Sequence, residues 1–174
     1  MLKRNQIISV LTIILLSTLF HGIYEKIPNF LTSIFFPVNE SIWEHNKMIL
    51  MSYLSWMLIS FIIYRYDKRN VIFTTLITSI ICIAIVNLVF TPIYLYILNT
   101  KDNMFITIGI FIIATIISQI IGYYLLTQPY NKTREIISLI ILIVIITILA
   151  YLTYNPIELP IFYDYPKNIY GLPN

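Results

Sequence analysis

Two histidines and a few carboxylates stand out in a chain that is otherwise apolar: His21, His45, Glu25, Glu40, Glu44 and Asp164. Neutral imidazoles and carboxylates are the natural ligands of a divalent metal such as zinc. Catalytic zinc sites take three protein ligands and leave a fourth position to water. A metal held this way lowers the pKa of its water to about 7 and polarises a carbonyl or phosphoryl oxygen. The expected ligands are His21, His45, Glu25 and Asp164, with Glu44 or Glu40 as general base. Trp43, Tyr24, Asn39, Ser41 and Lys47 are the expected substrate-binding residues, Trp43 bounding an apolar slot for a lipid or prenyl chain. No stringent zinc motif such as HExxH is present.

Spacing brings these groups together. In a helix, His21 shares a face with Tyr24 and Glu25, and Ser41 shares one with His45. The stretch Pro37-Val38-Asn39-Glu40-Ser41-Ile42-Trp43-Glu44-His45-Asn46-Lys47 concentrates carboxylates, imidazole, indole, ammonium and amides. A purely structural account also exists. Ser41-x-x-Glu44 is a capping box, Asn39 is an alternative N-cap, acids suit a helix N-terminus, and His45 and Lys47 would neutralise them.

The elements that must position these residues are membrane spans. Only 11% of the 174 residues are charged and 59% are hydrophobic, against roughly 25% charged in a soluble domain. Apolar runs near the ~20 residues of a bilayer crossing fall at about 5–24, 42–64, 71–97, 104–127 and 136–154. The expected fold is an all-α polytopic membrane bundle of five transmembrane helices, a single integral membrane domain over 1–174. Lys3 and Arg4 before the first run resemble a signal peptide, but no small-x-small cleavage site follows, so the run reads as a retained span. The linker at 25–40 is long and semi-polar and would form an interfacial or re-entrant segment. Those at 65–70, 99–103 and 128–135 are short, which makes neighbours antiparallel. Pro92 should kink or end the third span.

Seven of the eleven basic residues, Lys3, Arg4, Arg65, Lys68, Arg69, Lys132 and Arg134, fall on one side, which the positive-inside rule makes cytoplasmic. Glu25, Glu40, Glu44, Asp102, Glu158 and Asp164 fall on the other. The N-terminus is then inside, the C-terminus outside, and both histidines lie at the outer rim. Ala114, Ser118 and Gly122 recur every four residues and predict close helix packing. Asn87 and Gln119 predict interhelical hydrogen bonds. Tyr24, Trp43, Tyr94 and Tyr151 fit an interfacial aromatic belt. The tail at 155–174, rich in aromatics and prolines, reads as an ordered outer cap. One cysteine, Cys82, excludes an internal disulfide and a thiolate cluster, and no basic cluster interleaved with aromatics points to nucleic acid.

The pattern PVNES-x-WEH-x-K over Pro37–Lys47, after a helix ending in His21 and Tyr24-Glu25, resembles the marker of a family of small, uncharacterised prokaryotic multi-pass membrane proteins, a domain of unknown function. Pro160-x-Phe162-x-Asp164 and Tyr170-Gly171 resemble that family's closing segment. The resemblance implies a multi-pass fold in the prokaryotic plasma membrane and no activity. Membrane hydrolases of the alkaline-ceramidase type also combine His, Asp and Ser in a helical bundle, but in another motif order, and offer a chemical analogy only. The leading expectation is an outward-facing, metal-dependent, hydrolase-like enzyme acting on a lipid-linked or amphipathic substrate. The alternatives are a small-solute or ion binding or transport protein, for which a homodimer would supply the pathway, and a non-catalytic membrane accessory subunit. Membrane lipid is the other expected partner.

Overall fold

The computed structural model describes residues 2–64, 69–101 and 103–173. Arg65, Lys68 and Asp102, used in the charge argument, lie outside the described residues. Seven helices follow in order: α1 (Leu2–His21), α2 (Ile23–Lys26), α3 (Phe30–Phe35), α4 (Ile42–Tyr64), α5 (Val71–Pro92), α6 (Met104–Thr127) and α7 (Lys132–Tyr154). A two-stranded hairpin, β1 (Tyr163–Asp164) with β2 (Ile169–Tyr170), follows. Five helical segments are long and apolar enough to cross a membrane.

Local chemistry sets the ends of these helices. The first span breaks at Gly22, whose φ of −104° and ψ of 14° leave the helical region. α2 resumes the helix after this one-residue departure, and the apolar segment able to cross a membrane runs over Asn5–Lys26, through Tyr24. At Pro92, which has no N–H to bond the Leu88 carbonyl, the α-helical part of α5 gives way to a π-helical turn over Ile93–Ile97. The chain then reverses through Asn99 and Thr100, both at positive φ. α7 starts at Lys132 rather than 136 because Asn131 caps it, its side-chain oxygen accepting the Arg134 N–H at 3.0 Å. In the long linker, Asn29 and Thr32 form a reciprocal capping box that nucleates α3. α3 packs on the last turn of α7, where the Ser33 and Tyr154 hydroxyls are hydrogen-bonded.

α1, α4, α5 and α6 form a ring in which each helix packs on the next, and α7 lies outside it against α5 and α4. The middle of the ring is filled by Ile13, Ile49, Tyr53, Cys82 and Ala114. The outer interface buries Leu50, Leu76, Leu142 and Leu149. α5 and α6 make the most extensive pairing. A Cβ at Gly122 would stand 3.1 Å from Thr78 Cγ2 and 3.4 Å from Thr74 Cγ2, so this glycine sets the approach of the two backbones. The small-residue row of α6 thus packs as expected. Gln119 makes its interhelical bond, accepting from Ser9 at 2.8 Å, whereas Asn87 Oδ1 has no hydrogen-bond partner among the described residues.

The two ends of the ring differ. At the end away from the histidines, the Glu135 carboxylate accepts the Ile72 and Phe73 N–H groups, both at 2.9 Å, and so caps α5 from α7. A small cleft there is lined by amides and hydroxyls such as Asn5, Gln6 and Thr75 together with apolar groups such as Trp56, Met57 and Leu126. At the histidine end the tail folds back over the bundle. Phe162 stacks on Trp43 with centroids 4.6 Å apart, and Ile161 and Tyr165 pack on Ile42, Phe90 and Tyr94. Gly171, at φ +65°, passes so close to the end of α7 that a Cβ would lie 2.8 Å from the Thr153 carbonyl oxygen. The described part of the tail, to Pro173, thus carries a short helical turn and a hairpin packed on the bundle.

Candidate metal centre

The loop before α4 is held from several directions. Asn39 Nδ2 donates to the Gly171 carbonyl at 2.7 Å, while its Oδ1 accepts the Ser41 N–H at 2.9 Å. Ser41 Oγ accepts the Glu44 N–H at 3.3 Å, which is the first half of the capping box. The second half is displaced: Glu44 Oε2 reaches past Ser41 to the Val38 N–H at 3.1 Å.

Glu44 belongs to a buried ion pair. Its Oε2 lies 2.6 Å from Lys47 Nζ, and the side chains are 2% and 1% exposed. Lys47 also donates to the Ser33 carbonyl at 2.7 Å and to Thr153 Oγ1 at 2.9 Å, and Thr153 donates to Glu44 Oε1 at 2.7 Å. One network therefore ties α4 to the α3 linker and to the last turn of α7. Every lone pair and proton it uses is answered by protein, which a buried charge pair requires. Glu44, expected as a general base, and Lys47, expected to bind substrate, are thus buried in a pair with each other and stand outside the histidine cluster.

The histidines meet at the rim. His21 Nε2 and His45 Nε2 are 3.3 Å apart. Glu40 Oε2 is 3.3 Å from His21 Nε2 and 3.7 Å from His45 Nε2. In a tetrahedral site with metal–ligand bonds of ~2.0–2.1 Å, ligand atoms stand about 3.3–3.4 Å from one another. The triangle formed by His21, Glu40 and His45 is close to that size. His45 Nδ1 lies 2.8 Å from the Ser41 carbonyl oxygen. That contact places the proton on Nδ1 and leaves the Nε2 lone pair facing the cluster, as when a backbone carbonyl accepts the other ring N–H of a metal-bound histidine. The side chains are partly open to water, at 44% for His21, 42% for Glu40 and 24% for His45. A fourth position is thus accessible. The hydrogen bond from His21 holds the Glu40 carboxyl below the usual carboxylate range. Partial burial opposes this, and the charges of His45, His21 and Lys167 reinforce it. The residues present fit a divalent metal.

The carboxylate brought to the imidazoles is therefore Glu40, expected as a base, and not Glu25 or Asp164, expected as ligands. Glu25 stands exposed on α2 beyond the break at Gly22, which removes the shared face with His21. Asp164 is fully buried one step behind the site. Its Oδ2 accepts the Glu40 N–H at 3.0 Å and its Oδ1 the Lys167 N–H at 3.0 Å. Trp43 is half-buried against Phe162 and the α4–α7 core rather than lining a slot beside the metal ligands. Tyr24 is half-buried on α2 outside the cluster, and Asn39 and Ser41 hold the loop that carries Glu40. Thr153 was not singled out by the sequence. A lone hydroxyl in the last turn of an apolar span gives no signal that it bridges a buried ion pair.

Residues 1–172 match the model of a family of unknown function, DUF6512, and the chain belongs to that family. No curated protein and no solved structure matches it.

Proposed function

We propose that this member of the family is a membrane-embedded, metal-dependent, hydrolase-like protein. His21, Glu40 and His45 hold a divalent ion, zinc by preference, at the outer rim of a prokaryotic plasma membrane. The observation that carries the reading is the triangle of ligand atoms, sized for tetrahedral zinc, with one face open to water. The bound metal would supply a water of lowered pKa and a Lewis acid for a carbonyl or phosphoryl group. The chain's own work is positional. Ser41 orients the His45 ring, and the break at Gly22 frees His21 to end its helix at the cluster. The buried Glu44–Lys47 pair fixes the start of α4 beneath it. Exposed apolar side chains at the same end, Ile27, Phe30 and Leu31 on the α2–α3 linker, support an amphipathic substrate whose chain stays in lipid. The share of basic residues on the other side of the spans, seven of eleven by sequence, supports the outward orientation through the positive-inside rule.

Metal analysis of the purified protein tests this. The expected result is stoichiometric zinc in the native chain and at least about tenfold weaker binding in His21→Ala, His45→Ala and Glu40→Gln, as the loss of a ligand entails. Equal metal content in the native protein and all three variants would overturn the proposal.

A further inference from the structure

The cleft at the end of the bundle away from the histidines lies where α1, α4, α5 and α6 meet, and each helix brings it a neutral polar side chain: Gln6, Ser60, Thr74 and Gln119. No Asp, Glu, Lys, Arg or His lines it.

Most of the hydroxyls there are answered by their own helix. Ser60 donates to the Met57 carbonyl at 2.7 Å, Thr75 to the Val71 carbonyl at 2.9 Å and Thr78 to the Thr74 carbonyl at 2.7 Å. A hydroxyl that bonds back in this way keeps oxygen lone pairs for another donor. Thr74 is the exception. It is 7% exposed, and its Oγ1 has no hydrogen-bond partner among the described residues. Its methyl carbon stands 3.4 Å from the place a Cβ on Gly122 would take, which turns the methyl to α6 and leaves the hydroxyl to the cleft. Gln119 Oε1 accepts from Ser9 at 2.8 Å, so the amide offers the cleft its NH2 group. The walls therefore call for an occupant that both donates and accepts. A buried hydroxyl left without one is costly, and the surrounding lipid supplies no hydrogen bonds.

Size narrows the choice. The cleft gives the centre of a water-sized sphere about 30 Å³. One water takes about 10–15 Å³ of such space and two to four polar partners. An ion of either sign would meet no counter-charge on the walls. We infer that the cleft is a hydration site, in which about two ordered waters bridge Thr74 and Gln119 and so join α5 to α6 beside α1 and α4. Bridging waters replace direct hydrogen bonds at little cost. The site is independent of the metal reading.

The test is synchrotron hydroxyl-radical footprinting of the full chain in detergent, in which radiolysis of a bound water oxidises the side chains beside it. Met57 lines the cleft and is 9% exposed. Exposed Met104 gives the dose, and Cys82, fully buried in the middle of the ring, gives the dry background with a side chain that also oxidises readily. Met57 oxidation well above that of Cys82 is expected. Thr74→Val keeps the shape and removes the hydroxyl. It should lower Met57 oxidation about fivefold, the occupancy lost with one hydrogen bond, and Thr74→Ser should restore it. Gln119→Met removes a second partner and should act in the same direction. Unchanged Cys82 and Met104 signals identify the variants that remain folded. Met57 no more oxidised than Cys82, or equally oxidised in the native chain and in both Thr74→Val and Gln119→Met, overturns the hydration site. Suppression of Met57 oxidation by sodium chloride, with Met104 unaffected, assigns the cleft to an ion and overturns it as well.

Discussion

Lys47 is 1% exposed and its ammonium touches Glu44, Thr153 and the Ser33 carbonyl. Replacing it by methionine would leave the Glu44 carboxylate buried without its counter-ion. Removal of one partner of such a pair costs about 3–5 kcal/mol. Lys47→Met should therefore lower the unfolding free energy in mixed micelles by that amount. The double variant Glu44→Gln/Lys47→Met should recover part of the loss, because no orphaned charge remains. A loss below about 1 kcal/mol in the single variant, the size of a helix-capping effect, would show that the pair matters only as a cap. At this scale the sequence was a good guide to which residue types matter and a poor one to their roles. His21 and His45 read as meeting, and they meet. Glu40 and Glu44 were interchangeable on paper, because residue spacing places them on one helix face. What separates them is the start of α4 at Ile42. Glu40 precedes the helix, on a loop that swings to the rim, while Glu44 lies within its first turn and points into the seam with α7.

The helices themselves were largely legible. Runs of apolar residues located all five long segments, and the short linkers made them antiparallel neighbours. The ends were less so, because they depend on single residues acting on the backbone: Gly22 stopping α1, and Asn131 starting α7 early. The α5–α6 contact shows how much one position can hold. Apolar surface gains little by leaving lipid for protein, so helix association here rests on close packing. Gly122→Leu would drive a side chain into Thr74 and Thr78 and should destabilise the bundle by about 1–3 kcal/mol, the usual penalty of overpacking. Gly122→Ala should be milder, since the atoms nearest its methyl group would be the two threonine methyls, with Gln119 Oε1 at 3.8 Å. Unfolding curves that leave Gly122→Leu as stable as the native chain would mean that α5 and α6 are not held at this approach.

Across the whole molecule, two polar regions are separated by a dry one. The His21–Glu40–His45 cluster sits at one end of the ring and a cleft of mixed polar and apolar lining at the other. Between them, Ile13, Ile49 and Ala114 close the middle, and the nearby Ser17–Ser52 and Tyr53–Ser118 hydroxyls bond to each other rather than lining a path. Among the described residues this packing fills the middle of the ring, and the hydrolase-like reading proposed above expects no flux through it. Vesicles reconstituted with the protein should show proton and small-solute permeability equal to that of protein-free vesicles, measured by an internal pH dye and by light scattering. A protein-dependent flux would favour the transport alternative. The sequence could list the hydroxyls but not their mutual pairing, which exists only once α1, α4 and α6 are side by side.

The clasp between Glu40 and Asp164 spans 124 positions of the chain. While the polypeptide is being made, the imidazole pair can come together long before that clasp closes, since the second histidine emerges with the first two spans. Until the final hairpin leaves the insertion machinery, the carboxylate of the trio swings on an untethered loop. On the metal reading proposed above, ion uptake would then be the last event in maturation, and a nascent chain stalled in its fifth span would cross the bilayer yet carry no charge-bearing cargo at its rim.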